Sequence, residues 1–480
     1  MKSLKNIINY LLPTFIGSIL PFITLPIFTR NLTATDYGAI AMAQIYGSFL
    51  FSLNTLGLAV GYERNFFDAK KNGTSSELLY SVQLFVLISF LICITVTWVF
   101  KEYLSIIFIG SKEYSQLLFW SYIAIGISGL KTFFLLYFKN NQNSKSYMWY
   151  SIDENILNIS LALYFVAYLK IGIFGIVIGQ LISASFVLIL LVIKFLKILP
   201  FRYDFQVFKN ALSIGIPLTP KVFSGVINKS IDKYLLGKIS SLGGTGILTI
   251  AYKAANIVFS FMTALENVFL PNVYKIMFDE DEKSASFLIG KYLTPYIYLS
   301  TGFCLLVATF IHEFFYLFTT PSFHQGGTIS IILIMLYGTY FFGKIPQLTY
   351  KKKTYIITIL SFVSLIITIF ISIPLVKFYG IFGAALATFI SGVTSGALFF
   401  YISQKYYIIY WETKKILIIF SIFWFSSIGI IILDFLMFKY FYILLFKLFF
   451  ICIYFFYGFK INVFQKISLQ NIRLSLFNKI

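Results

Sequence analysis

One apolar stretch of the chain, residues 211–236, carries four ionisable side chains: Lys221, Lys229, Asp232 and Lys233. At about 100° per residue they fall within an arc of about 120° on one helix face. Three cations and one anion leave that face net positive. Lys131 and Lys253 lie in two other apolar stretches, and Arg30 closes the first. An ionisable group in hydrocarbon costs about 2.5–3.5 kcal/mol by insertion scales, so it faces a cavity or a partner. Lysines without carboxylate partners in a low-dielectric cleft focus a positive potential. That chemistry suits an anionic head group such as a pyrophosphate, whereas an organic cation would require acidic residues at depth.

Each of these residues also has a plainer reading. Lys131 and Lys253 can snorkel to the nearer interface, and Asp232 can pair with Lys229. Glu63–Arg64 and Asp153–Glu154 read as interfacial charges, and Asp279-Glu280-Asp281-Glu282 as a solvated loop. Asp434 has no evident partner. Tyr46, Tyr252 and Tyr337 lie inside apolar runs, where they either pack the core or line a sugar path. Metal chemistry is not indicated. Cys93, Cys304 and Cys452 each sit alone in an apolar run, and with only His312 and His324 besides, no ligand spacing exists. The pair His312–Glu313 is too thin a constellation for a catalytic centre. No cofactor is expected.

The elements that must position these groups are membrane helices. The 480 residues are 59% hydrophobic and 12% charged, with a mean hydropathy of +0.86, far from the roughly 25% charged residues of soluble domains. Apolar runs of about 20 residues recur throughout, the length that spans a bilayer as helix. They are too long and too unalternating for barrel strands. The net charge of +20 sits mostly in short loops rather than on one polar face, which argues against a nucleic-acid partner.

The runs predict spans near 7–29, 38–62, 78–99, 115–138, 147–168, 171–193, 211–236, 245–270, 290–311, 326–345, 355–376, 380–402, 416–437 and 440–459. With the N-terminus in the cytoplasm, 25 Lys and Arg residues fall on the cytoplasmic side and 7 on the other. That bias predicts an N-in, C-in orientation. Met1–Lys5 is basic, but a full span without a small-residue cleavage site follows, so the expectation is a first helix rather than a cleaved signal. No loop is long enough to fold as a soluble catalytic domain.

The chain also repeats itself. Gly172-Ile173-Phe174-Gly175 returns as Gly380-Ile381-Phe382-Gly383, an offset of 208 residues. At the same offset Gly38 meets Gly246 and Arg30 meets Lys238. The first and seventh spans are both broken by prolines (Pro13, Pro21, Pro26; Pro217, Pro220). Six helices per repeat is an even number, which predicts parallel repeats about an axis along the membrane normal. The expected fold is an all-α polytopic membrane protein of about 14 transmembrane helices. Residues 1–199 form an N-lobe and 200–404 a C-lobe, two parallel six-helix lobes around a central cavity. Residues 405–480 add two C-terminal helices and a tail.

Leu12-Pro13, Leu25-Pro26-Ile27-Phe28-Thr29-Arg30-Asn31-Leu32 and Asp36-Tyr37-Gly38 resemble the opening of the polysaccharide-biosynthesis flippases, the Wzx-type O-antigen and capsule transporters. Asp232-Lys233-Tyr234-Leu235-Leu236-Gly237 ahead of Gly246 and Tyr252, and the two Gly-Ile-Phe-Gly turns, fit the same pattern. The resemblance places the chain in the multidrug/oligosaccharidyl-lipid/polysaccharide exporter superfamily. It implies a cationic lumen and transfer of an undecaprenyl-pyrophosphate-linked oligosaccharide from the cytoplasmic to the periplasmic leaflet of a bacterial inner membrane. It further implies coupling to a proton or sodium gradient, without ATP, and contact with the lipid bilayer and other glycan-assembly membrane proteins. In related peptidoglycan-precursor flippases basic residues of the first and later helices meet the pyrophosphate; here Arg30, Lys221, Lys229 and Lys253 can stand in for them. Three rivals remain. A multidrug/cation antiporter would need carboxylates in the N-lobe, and the first helix has none. A membrane-embedded glycan polymerase or acyltransferase would need a buried catalytic cluster. The third is a lipid scramblase.

Overall fold

The structure, a computed structural model, describes residues 2–339 and 346–461, and among these it contains no strand. The end of the tenth expected span, with Lys344, and the tail beyond residue 461 lie outside the described residues. Helices α1 (Lys2–Ile23) and α2 (Leu25–Asn31) meet at a 44° bend. Pro21 and Pro26 each lack an N–H, so the hydrogen-bond ladder is thinned on both sides of Thr24.

Helix α3 (Ala34–Thr55) starts on a reciprocal cap. The Asp36 amide donates to Thr33 Oγ1 at 3.2 Å, and the Thr33 amide donates to Asp36 Oδ2 at 2.9 Å. It ends where Leu56 and Gly57 turn left-handed (φ 43° and 67°), and α4 (Leu58–Lys71) leaves at 42°. Then come α5 (Ser75–Phe108), α6 (Ser115–Asn140), α7 (Ser144–Leu163) with a π-helical turn at Tyr164–Tyr168, and α8 (Phe174–Ile198). The seventh expected span is split into α9 (Phe205–Asn228) and α10 (Ile231–Ile239). Helices α11 (Leu242–Asp279), α12 (Glu282–Phe318), α13 (Gly326–Thr339), α14 (Gln347–Tyr350), α15 (Thr354–Tyr406), α16 (Thr413–Phe435) and α17 (Tyr440–Lys460) complete the chain. Asp281 caps α12 through the Ser284 amide, and its bonds to Ser284 hold its carboxyl below the usual range.

Among the described residues, eight helices are long and apolar enough to cross a membrane, and the two bent pairs raise this to ten. The other four of the fourteen expected spans have physical explanations. Helix α7 carries Asp153, Glu154, Asn155 and Asn158; α9 and α10 are separated by a break; α13 runs into undescribed residues. Helix α15, at 53 residues, would be about 80 Å long as one rod, more than twice the hydrocarbon core. It breaks at Gly380 (φ 55°, ψ −127°), between the expected spans 355–376 and 380–402.

The repeat is visible in the backbone. Gly172 (φ 68°) and Gly380 (φ 55°) both occupy the left-handed region. Thr33 and Ser241, also 208 residues apart, cap α3 and α11 alike, with the Gly244 amide donating to Ser241 Oγ at 3.0 Å. The crossing of these two helices is reciprocal. A Cβ on Gly38 would lie 1.9 Å from the Leu242 carbonyl oxygen, and one on Gly246 would lie 1.8 Å from that of Ala34. Leu242 and Ala34 are themselves 208 residues apart, so each repeat makes the same contact on the other, as across a two-fold axis.

The chain divides into two compact units. The first comprises Met1–Lys253, Phe318–Phe323 and Ser372–Ala384; the second comprises Ala254–Leu317, His324–Ile371 and Ala385–Ile480. The first has an aromatic core that includes Tyr62, Phe66, Phe133, Phe134 and Phe195. In the second, Tyr298 and Tyr454 stack at 4.6 Å and each donates its hydroxyl to the other's carbonyl (3.1 and 2.6 Å), tying α12 to α17. Lys447 reaches Glu313 at 2.5 Å, where Tyr440 also donates at 3.0 Å. His312 lies 3.9 Å from Asp434 and 3.1 Å from Thr328, so Asp434 has a neighbour on α12 that its sequence position did not reveal.

Candidate anion site

Within the first unit, a cavity of about 230 Å³ opens among α1–α2, α3, α7, α8 and α11. Helical spacing builds each wall. Tyr37, Ile40 and Gln44 face it from α3, Ile176 and Gln180 from α8, and Thr249 and Lys253 from α11. These are i, i+3, i+4 and i+7 sets, which share one helix face. Pro21 and Thr24 border it at the bend of the first span. Gly179 lets α8 lie close on α7, since a Cβ there would come within 2.8 Å of the Ala162 amide. That approach brings Gln180 and Asn158 to the same space.

Lys253 is the cation of this cavity. Its ammonium lies 5.0 Å from the centroid of the buried Tyr37 ring, a cation–π contact of about 0.5–2 kcal/mol. The Tyr37 ring is pinned in turn by the edge of Phe323 at 5.7 Å. No lining residue is acidic. Among the described residues no carboxylate lies within ion-pair distance of Lys253. Lys233 acts on Lys253 as a like charge. Its own ammonium lies 4.6 Å over the Tyr252 ring, and the Tyr252 hydroxyl donates to Asp232. Asp232, 3% exposed, also accepts from the Lys233 amide at 2.8 Å and attracts the Lys233 ammonium.

The remaining residues singled out in the sequence fall elsewhere. The common arc of Lys221, Lys229, Asp232 and Lys233 required one unbroken helix. Pro217 and Pro220 remove two donors from α9, and the helix stops at Asn228, with Ser230 at φ −130° before α10. The helical phase is therefore not carried across. Lys221 and Lys229 are exposed or half-exposed, Lys233 is half-buried and Asp232 is buried. Arg30 is exposed at the end of α2. Among the described residues, none of Arg30, Lys221 and Lys229 makes an ion pair. Lys131 does: it is buried against Glu154, which also accepts from Ser128 at 3.2 Å. The reading of Lys131 as an uncompensated cation is therefore corrected. Its partner comes from the carboxylate pair 153–154, which the sequence placed at the interface. Tyr46 belongs to the core, sharing a hydrogen bond of 2.7 Å with Thr97.

Sequence reasoning singled out charges and so missed Gln44, Asn158, Gln180 and Tyr37 as cavity residues. The available signal was carboxamides inside apolar runs, with Tyr37 and Gln44 seven residues apart.

The fold matches solved transporters. The lipid II flippase MurJ in its inward closed conformation superposes with a TM-score of 0.72 at 20% identity, over 93% of this chain and 97% of that one. The Vibrio cholerae MATE transporter VcmN in its bent form gives 0.53 at 14% identity, over 84% and 98%. The MATE multidrug transporter DinF-BH gives 0.58 at 16%, over 84% and 95%. At these identities the likeness concerns the fold alone. No curated protein sequence matches. The description "polysaccharide biosynthesis protein" matches residues 3–277, which include the capped α2–α3 motif, the broken seventh span and every wall of the cavity. This polytopic helical membrane protein belongs to the polysaccharide biosynthesis protein family.

Proposed function

We propose that this chain is a flippase that moves an undecaprenyl-pyrophosphate-linked oligosaccharide from the cytoplasmic to the periplasmic leaflet of a bacterial inner membrane. The observation that carries this reading is Lys253, a cation facing a cavity with no acidic lining. A lysine held in an apolar setting without a carboxylate attracts an anion strongly. Lys233 adds positive charge behind it, while Arg30, Lys221 and Lys229 serve as outlying cations that draw the diphosphate in. Asp232 positions this group through Tyr252 rather than touching the ligand. Transfer proceeds by alternating access of the two repeats, coupled to a proton or sodium gradient. No catalytic step is assigned to any residue. A cation antiporter, the rival suggested by the shared MATE fold, would need a carboxylate where this cavity presents Lys253.

The test is reconstitution of the purified chain into vesicles carrying a labelled prenyl-diphosphate-linked sugar on one leaflet. The label should redistribute to the opposite leaflet much faster than in protein-free vesicles. Equal rates with and without protein, in the presence of a proton or sodium gradient, would contradict the proposal.

A further inference from the structure

Three carboxamides, Gln44, Asn158 and Gln180, line the cavity beside Lys253. Among the described residues none of their side chains hydrogen-bonds to another protein group, and each comes from a different helix. A carboxamide offers two N–H donors and an acceptor oxygen, and polar groups inside a membrane protein are normally satisfied. Three unsatisfied amides converging on one space therefore mark a ligand rich in both donors and acceptors. Thr24 and Thr249 line the same space, with their hydroxyls already donating to the Leu20 and Thr245 carbonyls, so they have only acceptor capacity left.

A diphosphate alone does not match this set. Its oxygens only accept, and carboxamide oxygens would be left facing them. A sugar ring does match, because adjacent hydroxyl or acetamido groups donate and accept at once. The cavity of about 230 Å³ is smaller than the roughly 300–1,000 Å³ of sites for drug-sized ligands, which limits its occupant to about one ring. The lining carries one charge, that of Lys253, and an acidic sugar would need a second cation.

We infer that this cavity holds the first sugar of the lipid-linked substrate, the one bonded directly to the diphosphate, and that it selects a neutral hexose or N-acetylamino sugar. Gln44, Asn158 and Gln180 read its hydroxyl and acetamido groups while Lys253 holds the adjoining phosphate. This rests on the flippase reading given above.

The experiment compares binding of three short-chain prenyl diphosphates to the purified full-length protein. One is unglycosylated, one bears a single N-acetylhexosamine, and one bears a single hexuronic acid. The wild type is expected to bind the N-acetylhexosamine compound about tenfold more tightly than the other two. In Gln44→Met, Asn158→Leu and Gln180→Met, which nearly preserve shape, that preference should shrink several-fold each while affinity for the unglycosylated diphosphate stays unchanged. Retained binding of the bare diphosphate doubles as the folding control. Lys253→Gln should weaken all three ligands alike. Variants that keep the full preference, or that lose all three ligands together, would overturn the sugar assignment. Lys253→Gln binding every ligand as the wild type does would instead overturn the diphosphate reading on which it rests.

Discussion

Tyr37 occupies the middle of the Asp36-Tyr37-Gly38 motif, and each of the three residues has a distinct physical task. Asp36 closes the cap of α3, Gly38 admits α11, and Tyr37 lays its ring beneath the Lys253 ammonium. Its hydroxyl is buried without a hydrogen-bond partner, a state that costs about 1–3 kcal/mol. Tyr37→Phe keeps the ring and removes that hydroxyl, so thermal unfolding of the purified protein should occur at the same temperature or higher, with surface glycan intact. Tyr37→Ala removes the ring and should cost about 3–5 kcal/mol with loss of glycan. A destabilised Tyr37→Phe would show that the hydroxyl is satisfied after all. The residues of this site were partly legible in the sequence. Lys253 stood out because a charge in an apolar run demands a reason. The carboxamides did not, because an uncharged polar side chain in such a run carries a weaker signal. Lys131 could not be resolved, because which face of α7 meets α6 is a packing outcome, and only that packing brings Glu154 to it.

At the scale of elements, the proline and glycine positions were the most informative part of the sequence. Prolines located the breaks in the first and seventh spans, and the offset of 208 residues located the left-handed pair Gly172 and Gly380. What spacing alone could not convey was that the break at Lys229–Ser230 resets the helical phase, and this undid the common arc of Lys221, Lys229, Asp232 and Lys233. The reciprocal crossing of α3 and α11 is open to a direct test. Gly38→Ala and Gly246→Ala each place a methyl group against a backbone carbonyl, which cannot rotate away. Each should destabilise by about 1–3 kcal/mol. Once either has pushed the helices apart, the second methyl meets less resistance, so the double variant should cost clearly less than the sum. Gly225→Ala, in α9 with open space around its Cβ position, should instead be neutral or stabilise by up to about 1 kcal/mol. Strict additivity in the first pair, read from thermal or denaturant unfolding, would mean the two glycines do not share one crossing.

For the whole molecule, hydropathy and loop charge conveyed a polytopic helical protein because the bilayer imposes a narrow length on each helix. The spans that composition marks poorly are α7, α9–α10 and α13, where polar residues, a break or the edge of the described chain dilute the signal. The proposed N-in, C-in orientation rests on the distribution of Lys and Arg over the loops. Reporter fusions at residues 203 and 352 should therefore read as cytoplasmic, and one at residue 240 as lying on the opposite side. Any reversed reporter would invalidate the span order between it and the next.

The flippase reading stands or falls on what Lys253 does in the cell. The decisive measurement is the leaflet distribution of lipid-linked oligosaccharide in cells whose only copy of this protein carries Lys253→Gln, with membrane level checked by immunoblot. The expected result is oligosaccharide stranded on the inner leaflet and depleted surface glycan, with Lys253→Arg retaining most transfer because the charge is kept. Wild-type distribution in the Lys253→Gln cells, at normal membrane level, would contradict it.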